Sequence, residues 1–524
     1  MRKLPIGIQS FENLRKNNYV YVDKTKYIWE LTETGKVYFL SRPRRFGKSL
    51  FLSTLKAYFE GKKELFQGLS IESLENKKRD SWISYPVIHI SFAAGDYTEP
   101  EELSKKIRGI LQDNASAFHI SLNPENTYGD QFLKLIREIS EKTGRNVAVL
   151  VDEYDKPLLD NLSVNSKQED LNRNMLKGFF GALKDADQYL KFVLITGVTK
   201  FSKVSIFSDL NQLNDISLMT QYAGICGITE GELEENFADE IEELAGVSGF
   251  SKDVCIRNLQ KRYDGYHFSE GEISVYNPFS LLNCFYKHDF GMYWFETGTP
   301  TYLIRKMQDS DYTLQDFSEG VGEDEMAMSN FKADDLDLIP LFYQSGYLTI
   351  QGYDRDGHLY SLGFPNEEVE FGFEKSLVPY ILKGDASKRY VLINQMVNVI
   401  RTGDAETFLR QVQSLFASIP YPEGQTPYLE REWQNQLYLL MKLLGQRVSA
   451  EIHSSTGRAD CILETEKYIY IFEFKQDKTA IEALQQIEDN RYALPYENSG
   501  KKIIKIGANF STKIRTIDEW EIWS

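Results

Sequence analysis

The sequence predicts an α/β protein built on a parallel sheet covered by helices on both faces, and two observations carry that prediction. Between about residues 19 and 214, four compact apolar runs of strand length (37–40, 87–92, 147–151 and 192–196) alternate with helical stretches such as 50–59 and 132–139. Strands that are apolar throughout are buried on both faces, and a helix between each pair supplies the cover. The second observation is length. At roughly 150 residues per domain, 524 residues imply three to four units.

The first strand runs into Ser41-Arg42-Pro43-Arg44-Arg45-Phe46-Gly47-Lys48-Ser49, and a helical pattern opens at Leu50. Strand, loop, Gly-Lys-Ser and helix form the arrangement that cradles phosphate. Backbone N–H groups and the helix N-terminus face the anion, with Arg45, Phe46 and Gly47 in the cradle. Lys48 reaches the β- and γ-oxygens of ATP, and the Ser49 hydroxyl ligates Mg²⁺. Arg42 stands where the general pattern has glycine. Arg44 and Arg45 read equally as phosphate contacts, as contacts to an adjacent subunit, or as a surface basic pair.

The third strand ends in Asp152-Glu153. Asp152 is placed to hold Mg²⁺ through water, and Glu153 to polarise the attacking water. The fourth strand ends in Thr196, a polar sensor of the γ-phosphate. Alone, Gly-Lys-Ser reads as a helix start and Asp-Glu as a cap. Together, on successive segments of one sheet, they point to a nucleotide site.

At Thr229 the texture changes. Thr229 and Glu232 have capping-box spacing, and residues 230–243 carry acids without Lys or Arg. A second acidic stretch, 309–337, has Lys332 as its one cation. Both read first as solvated faces or loops, with repulsion of DNA or docking of a basic partner as the alternatives. Residues 343–350 and 360–364, joined by Asp354-Arg355-Asp356-Gly357, read as strand, turn and strand. Helix follows over 369–416, and Pro420-Tyr421-Pro422-Glu423-Gly424 marks a boundary. Beyond it a helix (429–443) precedes a strand-rich stretch, a second helix (480–489) and a final strand (502–509).

That last unit holds a second constellation. Gly457-Arg458-Ala459-Asp460 leads through a short strand and turn to Tyr468-Ile469-Tyr470-Ile471-Phe472-Glu473-Phe474-Lys475. Glu473 and Lys475 are two residues apart on a strand and share a face. Asp460 and Glu473 offer hard oxygens to a divalent cation, and Lys475 can orient water and offset charge on a pentavalent phosphate. Glu432, on the preceding helix, would add a carboxylate to the metal shell, and Gln486 and Tyr492 would brace the site. The plain alternative is an exposed Glu–Lys pair on a hairpin.

These residues resemble a bacterial and archaeal family in which an AAA-ATPase-like domain is joined to a C-terminal PD-(D/E)XK nuclease domain. The resemblance spans nearly the whole chain. It runs through Leu4-Pro5-Ile6-Gly7, Tyr21-Val22-Asp23-Lys24-Thr25, the Arg42–Ser49 loop and Asp152-Glu153-Tyr154-Asp155-Lys156-Pro157. It continues through Thr196-Gly197-Val198, Phe207-Ser208, Tyr276-Asn277-Pro278, Ser345-Gly346-Tyr347-Leu348-Thr349, Gly457–Asp460, Phe472–Lys475 and Ile506-Gly507. The Arg-Pro-Arg-Arg-Phe-Gly-Lys loop is the family's own phosphate loop. The resemblance implies a P-loop NTPase domain (1–228), a helical lid (229–299), a winged-helix-like and helical middle region (300–424) and a restriction-endonuclease-like α/β domain (425–524). It places catalytic acids at Asp460 and Glu473 and the catalytic lysine at Lys475, with Glu432 and Gln486 as accessory residues. Ala459 stands where the motif's name has proline.

Composition limits what such a protein does. The formal net charge is −17, which excludes a protein that coats nucleic acid or anionic lipid. Residues 425–524 hold 13 basic and 15 acidic residues, a net −2, so the first 424 carry −15. Lys475, Lys478, Arg458, Lys501, Lys502 and Lys505 stand near the second site. The four cysteines, Cys226, Cys255, Cys284 and Cys461, are scattered without metal-ligand spacing, and reduced buried thiols are expected. No stretch approaches the ~20 apolar residues of a membrane span, and no apolar h-region follows the first cations. The expectation is a cytoplasmic enzyme without membrane contact that uses ATP and Mg²⁺, with Mn²⁺ also suited to the nuclease site. It would cut nucleic acid, DNA in the first instance, under ATP control. The competing expectation is an ATP-switched binding or regulatory protein whose tail holds nucleic acid or a partner without cutting. A homo-oligomer or a protein partner stays open.

Overall fold

The computed structural model describes residues 3–162, 164–200, 206–207, 210, 212–295, 301–308, 310–329, 338–419, 428–445, 449–452 and 460–524. The expected boundaries at 299/300 and 424/425, and the Gly457-Arg458-Ala459 turn, lie outside them. The chain divides into two compact units, residues 1–310 with 320–369, and residues 311–319 with 370–524.

The first unit is built on a five-stranded parallel sheet of β1 (Val37–Ser41), β2 (Val87–Ser91), β3 (Val147–Asp152), β4 (Leu190–Gly197) and β5 (Asn214–Asp215), in the order β2-β3-β4-β1-β5. β1 and β3 are buried at every residue, which is why their sequences are unbroken apolar runs. Helix α1 (Lys48–Phe59) follows β1 directly. Helices α2 (Tyr128–Thr143) and α3 (Ser166–Asp185) pack on each other through stacked Phe132 and Phe179, 4.6 Å apart. The order of the sheet has a consequence for chemistry. β4 lies between β1 and β3, so Thr196 emerges between the phosphate loop and the acidic pair.

Next come α4 (Glu230–Asn236), α5 (Ala238–Ser248), α6 (Lys252–Tyr263) and α7 (Pro278–Lys287), around a core that includes Leu233, Phe237, Ile241, Leu259 and Phe285. The Thr229–Glu232 capping box forms in full. Strands β6 (Tyr266–His267) and β7 (Ser274–Val275) make a small ladder, and β8 (Val321–Asp324), β9 (Thr349–Asp354) and β10 (Leu359–Gly363) an antiparallel sheet in the order β8-β10-β9. One expectation fails here. The strand expected from Tyr343 begins only at Thr349, because α8 (Leu338–Ser345) occupies the first half of the run. An apolar run this short lacks the periodicity that separates helix from strand. Gly346, at φ 91°, ends the helix, and a Cβ there would lie 2.8 Å from Pro43 of the phosphate loop.

Helix α9 (Glu367–Ile381) leads into the second unit, followed by α10 (Ala386–Thr402), α11 (Ala405–Ala417) and α12 (Tyr428–Gly445). Its sheet runs β11 (Ser449–Ile452), β12 (Cys461–Glu464), β13 (Tyr468–Gln476), β14 (Lys502–Ser511) and β15 (Thr516–Trp523) in sequence order. Only β13 and β14 pair parallel, and the crossover between them carries α13 (Ala480–Asp489). Ile469, Ile471, Leu484 and Ile487 form the core between strand and helix. β14 is not the last strand: β15 pairs antiparallel with it. Asp518, Glu519 and Glu521 disguise β15 in the sequence, because only part of this strand is buried.

Candidate functional site

The chemistry-bearing residues assemble at two places, one in each unit. In the first, Gly47 caps α1 at φ 98°, a conformation glycine adopts without strain. Lys48 is 6 % exposed, and its Nζ donates to the carbonyls of Arg42 (2.8 Å) and Pro43 (2.9 Å). Burial pulls its ammonium below the usual lysine range, against the opposing charge of Asp152. Ser49 follows on the first turn of α1, half-buried. Arg42 has a structural task in place of glycine's. Its guanidinium is buried, donates to the carbonyls of Ser41, Ser217 and Tyr222 at 2.8–3.1 Å, and lies 4.2 Å from the centre of the Phe268 ring.

The other loop residues separate by environment. Phe46 is buried edge-on against Tyr266 (4.7 Å) and Phe268 (5.4 Å), which anchors the loop from below. Arg44 and Arg45 are exposed. Arg45 sits at φ 70° with its guanidinium 4.8 Å from the Phe279 ring centre.

Across from the loop, Asp152 is buried and its Oδ1 accepts a hydrogen bond from Thr196 Oγ1 at 3.0 Å. Glu153 adopts φ 54°, a left-handed conformation that costs a non-glycine residue on the order of 1 kcal/mol and recurs at functional sites. Burial, then the neighbouring Asp152, raises its carboxyl above the usual glutamate range. Such a shift suits a group that must take up a proton.

The sequence reading missed the cavity beside this loop. A mainly apolar cavity of about 100 Å³ is lined by Tyr21, Val22, Lys24, Gly47, Cys226 and Ile228, among others. Lys24 Nζ donates to both carboxylate oxygens of Glu232 (2.5 and 2.7 Å) and to the Gly224 carbonyl (2.8 Å). Glu232 is thus more than part of a solvated acidic face: it caps α4 and pairs with a residue 208 positions earlier. No local sequence signal announces a pair at that separation.

In the second unit the β12–β13 hairpin pairs Cys461 with Phe472, which brings Asp460 alongside Glu473. Asp460 Oδ2 accepts from the Phe474 amide at 2.8 Å. Glu473 and Lys475 share a face as expected, Nζ 3.0 Å from Oε1, and the same Nζ donates to Gln486 Oε1 on α13. Gln486 Nε2 in turn lies 3.5 Å from the Tyr492 hydroxyl. Glu473 is 2 % exposed, and among the described residues its Oε2 has no hydrogen-bond partner. Burial and the nearby Asp460 push its carboxyl up to about 7; burial also raises Asp460. A buried carboxylate oxygen without a donor, beside a second acid, fits a hard divalent cation, which would supply the missing positive charge.

Glu432 is half-buried on α12, next to Trp433, whose Nε1 donates to Gln476 Oε1 (2.9 Å) and whose ring stacks on Phe510 (4.6 Å). Among the described residues no three His, Cys, Asp or Glu side chains gather as a metal cluster. Of the cations expected near the site, Lys501 is paired with Glu464 (2.8 Å) and Lys505 with Glu488, while Lys478 and Lys502 are exposed. Arg458 lies outside the described residues. No helix among the described residues is long and apolar enough to cross a membrane.

Comparison with known proteins agrees with this division. A family model described as a predicted AAA-ATPase matches residues 5–207, and one for the PD-(D/E)XK nuclease superfamily matches residues 429–520. A protein of Azotobacter chroococcum, described as the uncharacterized protein in the vnfD 5' region, is 37 % identical over 524 residues, covering 98 % of each chain. Among solved structures, that of the Aeropyrum pernix Orc1 protein in complex with DNA aligns with a TM-score of 0.23 and 8 % identity, over 67 % of this chain and 91 % of that one.

Proposed function

This chain belongs to the family that joins an AAA-ATPase-like domain to a PD-(D/E)XK nuclease superfamily domain, and from that premise we propose that it is an ATP-hydrolysing, metal-dependent nuclease that cuts DNA under ATP control. The proposal keeps the four-segment organisation expected from the sequence and a cytoplasmic location. The observation that carries it is the Asp460–Glu473–Lys475 set. A carboxylate oxygen buried without a donor costs stability, and here, beside a second acid and a lysine, a divalent cation would offset that cost.

At the first site, the triphosphate would lie over Gly47, with Arg45 and Phe46 shaping the loop and the base in the cavity beside Lys24. On binding, Lys48 exchanges its two loop carbonyls for phosphate oxygens. Ser49 and Asp152 would hold Mg²⁺, whose chemistry there is to neutralise charge on the phosphates. Glu153 accepts a proton from water as the water oxygen bonds to the γ-phosphorus and the bond to the β,γ-bridging oxygen breaks. Thr196 holds Asp152 through its hydroxyl.

At the second site Asp460 and Glu473, with Glu432 as the accessory carboxylate, would hold Mg²⁺ or Mn²⁺, which would lower the pKa of attacking water. Lys475, fixed by Glu473 and Gln486, orients that water and offsets charge on the scissile phosphate. The test is cleavage of plasmid and linear DNA and of RNA with Mg²⁺ or Mn²⁺, with and without ATP, by the wild type, Lys48→Ala and Asp460→Ala. Metal-dependent cutting of DNA that Asp460→Ala abolishes and ATP modulates is the expected result. DNA binding without cutting under every condition would favour the regulatory alternative.

A further inference from the structure

Asp155 lies two residues beyond Glu153, outside any role assigned so far. It is 1 % exposed. Its Oδ2 accepts hydrogen bonds from the Thr199 amide (2.6 Å), the Thr199 hydroxyl (2.8 Å) and the Val198 amide (3.0 Å). All three donors belong to the segment that leaves β4 just after Gly197. Burial raises this carboxyl above its usual range while the bonds from Thr199 and Val198 oppose that shift, and three donors on one buried oxygen clamp the segment.

The clamp is reinforced from both sides. The Tyr154 amide donates to the Thr196 carbonyl (3.1 Å), and the Tyr154 hydroxyl to the Thr199 carbonyl (3.1 Å). Gly197 has no room for a side chain: a Cβ would lie 2.6 Å from the Tyr154 ring and 2.8 Å from Asp155 Oδ1. The turn after β3 and the segment after β4 therefore interlock as one piece. Glu153 sits in that turn at φ 54°, a conformation that persists only where the surroundings over-determine it. Thr196 sits in the other half, bonded to Asp152.

We propose that Asp155 is a positioning residue for ATP hydrolysis. It holds residues 196–199 against the β3 turn, and so sets the Glu153 carboxylate and the Thr196 hydroxyl in register with the phosphate loop. The inference rests on the hydrolysis reading given above. Asp155 need not touch the nucleotide, so its loss disturbs turnover more than binding. A displacement of about 1 Å at a reacting group costs about 10²-fold in rate.

The experiment compares full-length wild type, Glu153→Gln, Asp155→Asn and Thr199→Val, measuring steady-state ATP turnover and the Kd of a non-hydrolysable ATP analogue. Asparagine keeps the shape and cannot ionise; valine removes one of the three donors. Asp155→Asn is expected to lower kcat about 100-fold and Thr199→Val about 10-fold, with Kd within threefold of wild type in both. Should Asp155→Asn fail to fold, Thr199→Val decides. Turnover within threefold of an active wild type overturns the inference and leaves the hydrolysis reading standing. So does a parallel loss of binding and turnover, which marks a purely structural role. A wild type without turnover, indistinguishable from Glu153→Gln, overturns the hydrolysis reading and this inference with it.

Discussion

The two sites meet the same problem, buried charge, in opposite ways. In the nucleotide site the ammonium of Lys48 rests on two carbonyls of its own loop, and Asp152 accepts from Thr196. Those polar groups are already satisfied by the protein, so nucleotide binding there would be an exchange of hydrogen bonds. In the proposed nuclease site Asp460 and Glu473 lie side by side, and Glu473 Oε2 has no donor among the described residues. Among the same residues Lys475 is the one cation bonded to that pair, through Glu473 Oε1, and a divalent cation would supply the further positive charge the proposed site calls for. The difference teaches where to look for each ligand's effect: in turnover at the first site, in stability as well as turnover at the second.

The largest effects separate the two chemistries. Lys48→Ala should lower ATP turnover about 10³-fold, and Glu473→Gln should lower phosphodiester cleavage about 10³-fold, each through loss of an electrostatic group at the reacting phosphate. Glu473→Gln should leave ATP turnover within twofold. Parallel assays of hydrolysis and of DNA cleavage on the same preparations check this. A Glu473→Gln protein that loses ATP turnover as well would break the comparison.

Most residues of the two candidate sites stood out in the sequence because they sit at fixed offsets within one strand or loop, while Asp460 reaches Glu473 across the β12–β13 hairpin. Gly47-Lys48-Ser49 follows β1, Asp152-Glu153 ends β3, and Glu473 and Lys475 share a face of β13. What escaped was long-range. Lys24 meets Glu232 across 208 positions, and Asp155 meets Thr199 across two turns that only the sheet order brings together. Helix α8 and strand β15 escaped for a local reason: one is too short and uniformly apolar to show a period, and the other wears acids on its exposed positions.

A buried carboxylate away from either site sharpens the comparison. Glu368 is 3 % exposed, accepts from the Trp294 amide at 2.9 Å, and burial pushes its carboxyl up to about 7. Its ordinary value is 4.5, so the folded state binds the proton more tightly than the unfolded chain. The stability this contributes is fully present below pH 4.5 and is lost as pH rises through 7. The loss amounts to about 3 kcal/mol at one pKa unit per ~1.4 kcal/mol. Glu368→Gln should remove that pH dependence, raising the unfolding midpoint at pH 8 and leaving it near wild type at pH 4.5. Denaturant unfolding at the two pH values measures it, and divalent metal should shift both proteins alike and leave their difference unchanged.

Metal should act on the other carboxylate. Without nucleotide, Mg²⁺ or Mn²⁺ at about 100 times its Kd should stabilise the wild type by about 2.7 kcal/mol. Glu473→Gln, with no charge to neutralise, should show little of that gain. Calorimetric scans with metal and with chelator separate the two. Equal stabilisation of wild type and Glu473→Gln would mean that the cation binds elsewhere.

The smallest effect tests how each lysine is held. Lys48 is restrained by main-chain carbonyls, which no substitution removes. Lys475 is restrained by two side chains, Glu473 and Gln486, and one of them can be deleted without touching a proposed metal ligand. Gln486→Ala leaves the Glu473 contact in place, so the ammonium keeps its neighbourhood and loses its direction. The loss should be that of one hydrogen bond to a charged group, about 1.5 kcal/mol, or roughly 10-fold in cleavage rate. Lysine position does not enter metal binding, so the metal-induced rise in unfolding midpoint should persist in Gln486→Ala. Cleavage by Gln486→Ala as fast as wild type would mean that Glu473 alone fixes the lysine. A 10³-fold loss would mean that α13 supplies more of the site than this one contact.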